Sequence, residues 1–278
     1  MSARRSVVLA VALLGGCSAR ERRPGAEELA IRQRSAGETA RRFDDPTTAA
    51  SLYGRASRNA SAVDRPALAA DAAVREGIAH LAAGSPRRAE VSFSRAATLA
   101  RDAGDRSLGA RALLGVARAR RMAGEGDVPG PLREARSLAR EAGDRTAEAL
   151  AEVGLGAVSG SPEARERFAA AERLAGEVAE VAGPLGLNRA RLDEREGRTA
   201  EARAGYRASI APLSRADDRV GLLAALQGAA RLADGDPGAA AEAGELHRRA
   251  ALVAEGLGRE EVAQAERLAA DGSAARAR

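Results

Sequence analysis

The 278-residue sequence contains no lysine and no tryptophan, a single cysteine, two histidines, three Phe and two Tyr. Each shortage excludes something. One cysteine forms no internal disulfide, and with only His80 and His247 beside it a zinc site built from Cys and His is ruled out. So few aromatic side chains leave no platform for stacking nucleic-acid bases. All 44 basic residues are arginine, balanced by 39 acidic ones to a formal charge of +5. With heavy alanine and glycine use, that pattern reflects a GC-rich coding bias, so basicity is no argument for a nucleic-acid partner. No nucleophile, base and orienting group assemble anywhere in the chain, so no catalytic residue, metal, cofactor or small-molecule substrate is expected. Glu76 and His80 stand four apart on one helical face, and Glu163, Glu166 and Glu172 lie among arginines. Both patterns read as partly buried or solvated packing positions.

What is present begins at the N-terminus. Arg4 and Arg5 precede an apolar run over residues 7–14, followed by Gly15, Gly16 and Cys17. This is the layout of a signal peptide, and the run is well short of the ~20 residues a membrane-spanning helix needs. Leu14, Gly15, Gly16 and Cys17 resemble a bacterial lipobox. That resemblance implies removal of residues 1–16 and a covalent lipid on Cys17, the sole attached group expected. At ~0.8 kcal/mol per buried CH₂, two or three acyl chains hold a protein at a membrane. Ser18, as a residue other than Asp, implies the outer membrane with the chain facing the periplasm. The outer leaflet of the cytoplasmic membrane is the alternative. Losing Arg4 and Arg5 lowers the formal charge to +3. Residues 17–26 read as a lipidated tether, about 30 Å long at most when extended.

Beyond the tether the chain repeats. AVDR (62–65), AGDR (103–106 and 142–145) and ADDR (216–219) recur at a period near 39, with one copy degenerate. Asp45-Pro46, Ser85-Pro86, Ser161-Pro162 and Asp236-Pro237 each read as a helix N-cap followed by proline at the first helical position. Tyr53, Phe93, Leu132, Phe168, Tyr206 and His247 fall at one repeat position, which claims four of the five Phe and Tyr residues. A large side chain returning at that interval is a packing wedge between helices, and His247 is read as one of them. GLGAVSG (154–160) echoes a nucleotide-binding glycine loop but follows a helical segment and no strand, so a phosphate cradle is not expected there.

Ala49-Tyr53-Ala56, Ala89-Phe93-Ala96 and Ala164-Phe168-Ala171, with the looser Ala202-Tyr206-Ser209 and Ala243-His247-Ala250, resemble the second helix of tetratricopeptide repeats. Gly37, Gly77, Ala117, Ala190 and Gly228 match the small residue of that family's first helix, and Gly84, Gly124, Gly197 and Gly235 match its turn glycine. The resemblance implies an all-α fold, a right-handed superhelical solenoid of about six helical hairpins over residues 27–258. A capping helix over 259–270 follows, and residues 271–278 are expected to form a disordered tail. Single hairpins cannot bury their apolar faces, so neighbours stack and leave a concave groove.

On that alignment the inward positions include Arg34 and Arg41, then Arg111, Leu114, Arg118 and Arg121, then Asn188, Arg191 and Arg195. Spacings of three and four place the 111–121 set on one helical face. Arginine forks grip carboxylates in two-pronged fashion, so an acidic peptide segment or an envelope protein is the expected partner. The sequence thus reads as a lipid-anchored tetratricopeptide-type adaptor, similar in plan to pilotins and other envelope-assembly lipoproteins. The alternative is a cytoplasmic sensor or regulatory module whose true start lies elsewhere.

Overall fold

The computed structural model describes residues 25–43 and 45–277. Leu14, Gly15, Gly16, Cys17 and Ser18, on which the anchor expectation rests, lie outside the described residues. Thirteen α-helices and one short 3₁₀ turn, with no strand among the described residues, form a helical solenoid. Six antiparallel hairpins pair α1 (Ala26–Arg42) with α2 (Pro46–Ser61), α3 (Pro66–Ala82) with α4 (Pro86–Asp102), and α5 (Arg106–Ala123) with α6 (Pro129–Ala142). They continue with α7 (Arg145–Val158) and α8 (Ser161–Ala175), α9 (Ala179–Arg195) and α10 (Thr199–Arg215), and α11 (Arg219–Asp234) and α12 (Ala240–Gly256). A last helix, α13 (Glu260–Arg276), closes the array.

The recurring aspartates start helices. Asp105, Asp144 and Asp218 each accept a 2.9 Å hydrogen bond from a backbone N–H three residues on, in Leu108, Ala147 and Gly221. A residue at positive φ precedes each of them: Gly104, Gly143 and Asp217. AVDR is one residue out of register with the other phrases, since there Asp64 takes the positive φ and Arg65 the cap position. Among the proline pairs, Asp45 caps α2 through the Thr48 N–H, and Asp236 caps the 3₁₀ turn Pro237–Ala239. The other two differ from expectation. Ser85 makes no side-chain cap, and Ser161 already lies inside α8, with its hydroxyl turned to Glu196. The expected turn glycines Gly84, Gly124 and Gly197 have positive φ, whereas Gly235 closes α11 in a right-handed conformation.

All six wedges are buried, with Tyr53, Phe93 and Phe168 at 1–2% exposure. Added Cβ atoms at Gly37, Gly77 and Gly228 would lie 2.6–2.7 Å from the rings of Tyr53, Phe93 and Tyr206, so those glycines are the seats in which the rings rest. The glycine-rich stretch at 154–160 has the same use: Gly154 and Gly156, inside α7, seat Leu132 and Phe168. Ala117 shares a core cluster with Leu132, and Ala190 one with Tyr206.

The end of the chain departs from expectation. α13 runs to Arg276, so residues 271–276 are helical where a tail was expected. Ser273 is fully buried there, and both it and Arg276 donate to Asp234 of α11. These polar contacts fix the last turn and a half that apolar periodicity alone does not signal.

Candidate functional site

Odd-numbered helices form the inner layer. From α3 to α11 each touches the next odd helix, while the even ones pack outside them. The curvature accumulates until α11 reaches back to α3. Ala82, at the end of α3, packs against the apolar core of the last two hairpins. Three polar contacts join the same ends: Arg259 donates to the Leu81 carbonyl at 3.0 Å, Arg41 pairs with Asp217, and Arg118 donates to Asp218 at 2.6 Å. The inner face is therefore enclosed.

The basic strip expected from the sequence divides into neutralised and unneutralised parts. Arg34 pairs with Asp71, and Arg41 with Glu38 as well as Asp217. Arg111 lies 3.3 Å from Asp144, the cap of α7. These arginines are occupied by the protein's own carboxylates. Leu114 is half-buried between two core clusters and serves packing. Arg195 is exposed at the end of α9.

Arg118, Arg121, Asn188 and Arg191 are brought together, although α5 and α9 are far apart in sequence. Arg121 makes one long hydrogen bond, 3.3 Å to the side-chain oxygen of Asn188, whose amide donates to the Pro184 carbonyl at 2.8 Å. Arg121 is reached by solvent yet surrounded by protein, as befits a side chain lining a concavity. This desolvation, followed by repulsion from Arg191 and Arg118 and opposed by Asp218, pulls its pKa down to about 10. It stays protonated at neutral pH. Asp218 sits deep in the same place. Burial raises its pKa, but the Arg118 charge and hydrogen bond, the Gly221 N–H and Arg121 outweigh that and hold the carboxyl below its usual range. Among the described residues Arg191 has no hydrogen bond or salt bridge, although its charge acts on Glu194 one turn along α9. Its acidic neighbour Glu194 is taken by Arg231 at 2.5 Å and by the Tyr206 hydroxyl at 2.7 Å. Arg259 adds further repulsion on Arg118.

The sequence reading missed Asp218, whose phrase ADDR signals a cap but not an inward carboxylate that meets Arg118 from 100 residues away. The remaining candidates are structural. His80 lies 3.9 Å from Glu76, which is taken by Arg95, and burial lowers the His80 pKa. Glu163 and Glu172 pair with Arg167 and Arg189. No group of residues suited to hold a metal occurs among the described residues, and no described helix is long and apolar enough to cross a membrane.

No protein-family model and no curated protein matches the chain. Solved structures of similar fold do exist. The apo form of RapI has a TM-score of 0.56 at 11% identity, covering 89% of this chain and 98% of its own. A Rap protein complexed with competence and sporulation factor has a TM-score of 0.59 at 14% identity, covering 92% of this chain and 78% of its own. At such identities the likeness is one of fold, an all-helical tetratricopeptide-like solenoid.

Proposed function

We propose that the chain is a non-enzymatic partner-binding module whose enclosed inner face receives an anionic segment of another protein or peptide. One observation carries this reading: Arg121 and Arg191 sit together at the concavity with no salt bridge to a carboxylate among the described residues, while Arg34, Arg41, Arg111 and Arg118 are paired internally. Holding two guanidiniums close together costs free energy that an anionic ligand recovers. A Rap protein of similar fold holds competence and sporulation factor, which supports a ligand-holding, regulatory use of this architecture. The test is crosslinking in cells followed by pull-down, comparing the native chain with Arg121→Gln/Arg191→Gln. A stoichiometric partner lost in the variant is the expected result; a partner captured equally by both sinks the groove as its site.

Where the module works is a separate question with two readings. Leu14, Gly15, Gly16 and Cys17 favour a lipid anchor, which would make the chain an adaptor for assembly of an envelope complex, facing the periplasm if Ser18 directs it outward. The second reading is a sensor or regulatory module of the cytoplasm whose true start lies elsewhere, and the complex of a similarly folded Rap protein with a factor supports its sensing part. Cys17→Ala distinguishes them. Under the anchor reading it abolishes labelling by a palmitate analogue and releases the chain from membranes. Labelling and fractionation that do not change assign the chain to the second reading.

A further inference from the structure

Among the inward arginines the charges do not balance. Arg118, Arg121 and Arg191 converge from α5 and α9, and the carboxylate hydrogen-bonded within the group is that of Asp218. Glu194 is committed to Arg231 and Tyr206. Arg259, which repels Arg118, spends one donor on the Leu81 carbonyl, and its buried Nε has no partner. Arg118, Arg121 and Arg191 exceed Asp218 by two positive charges, and Arg259 adds to that excess from beside Arg118, in a place where solvent enters but protein encloses. A carboxylate would offset only one charge of the excess; a dianion offsets two. Guanidinium forks suit the tetrahedral oxygens of a phosphate, and Asn188 supplies a neutral polar edge beside them.

We infer that Arg121, Arg191 and Asn188, with Arg118 beside them, form a site for a dianionic oxyanion, a phosphate group either free or carried on a partner. Asp218 is its internal competitor: held on Arg118 at 2.6 Å, it occupies in the empty protein part of the field a ligand phosphate would use. The inference rests on the inner face being the binding face, as proposed above.

The experiment is calorimetric titration of the full-length chain with inorganic phosphate in low-chloride buffer at pH 7.5, with triglutamate as a carboxylate probe. Saturable phosphate binding is expected, weakened at least tenfold in Arg121→Gln/Arg191→Gln and unchanged in Arg111→Gln, whose arginine is already paired. Asp218→Asn keeps a side chain able to cap α11 but removes the competing charge, so phosphate binds several-fold tighter. This variant carries the test if the double variant does not fold. Absence of saturable binding, equal binding by the double variant, weaker binding by Asp218→Asn, or tighter binding of triglutamate than of phosphate each overturns the inference. Phosphate titration needs no partner and partner capture needs no phosphate. Partner loss in the double variant without phosphate binding overturns the oxyanion assignment alone, and phosphate binding with partner capture unchanged overturns the proposed function alone.

Discussion

Phe93→Ala is expected to lower the free energy of unfolding by about 3–5 kcal/mol, the usual cost of emptying a buried aromatic site. The ring is 2% exposed and rests on Gly77 of its own hairpin. On its other side it meets Gly115 of α5, where an added Cβ would come closer still. One side chain therefore bonds the second hairpin internally and to the third. In a solenoid, stability is approximately a sum of hairpin terms and nearest-neighbour interfaces, so this truncation strikes both kinds at once. Two of the walls facing it, Gly77 and Gly115, have no side chain to advance, so collapse into the space falls to Leu81, Val116 and the few other apolar side chains of that cluster. Urea denaturation followed by circular dichroism is the measurement, and a loss under ~1 kcal/mol would refute the wedge role. Gly115→Ala tests the same contact from the opposite side. Its methyl group meets the ring, and overpacking of this kind costs about 1–3 kcal/mol.

Features repeated every hairpin were legible in the sequence, because each copy solves the same local problem. The wedge residues, the seats at Gly37, Gly77 and Gly228 and most of the turn glycines follow from a period near 39 and from the need to bury one face of each helical pair. Features that depend on how far the superhelix has turned were not legible. Arg118 and Asp218 are 100 residues apart, and Arg259 and Leu81 178 apart. Their meeting is set by curvature summed over several interfaces, which no local spacing encodes. Hence the sequence placed Arg111 and Arg121 on one strip but could not tell that Asp144 neutralises the first and nothing comparable neutralises the second. The terminal turn of α13 failed to register for another reason: Ser273 and Arg276 are held by Asp234, a polar reason for burial in a segment whose apolar pattern has already ended.

Replacing His247 with Gln is expected to destabilise the chain by about 2–4 kcal/mol at pH 6, with the deficit shrinking as pH rises. Packing alone, the role its wedge position implies, does not account for this residue. The ring is buried between two carboxylates, with Nδ1 2.6 Å from Glu266 of α13 and Nε2 2.9 Å from Asp234 of α11. Both partners are acceptors, so both ring nitrogens donate and the imidazole is a cation. It ties α11 and α13 together through α12, and Gln227 completes Glu266 at 2.8 Å. Burial pulls the His247 pKa down, but the hydrogen bonds and charges of Glu266 and Asp234 prevail and raise it above 6.5. A raised folded-state pKa means the stabilisation is fully present below the unfolded value and is lost as pH climbs through the folded one. Asp234 works in the opposite direction: its pKa is depressed, so its contribution is present above the ordinary carboxylate range and disappears in acid. The cap is therefore held most firmly between the two, from above pH 4 to about 6.5. Glutamine still donates to one carboxylate but carries no charge at any pH. The difference in unfolding free energy between native chain and variant, measured in urea from pH 5 to 9, should fall steadily above pH 6.5. A pH-independent difference would mean that the ring is neutral in the folded chain and that His247 acts by shape alone.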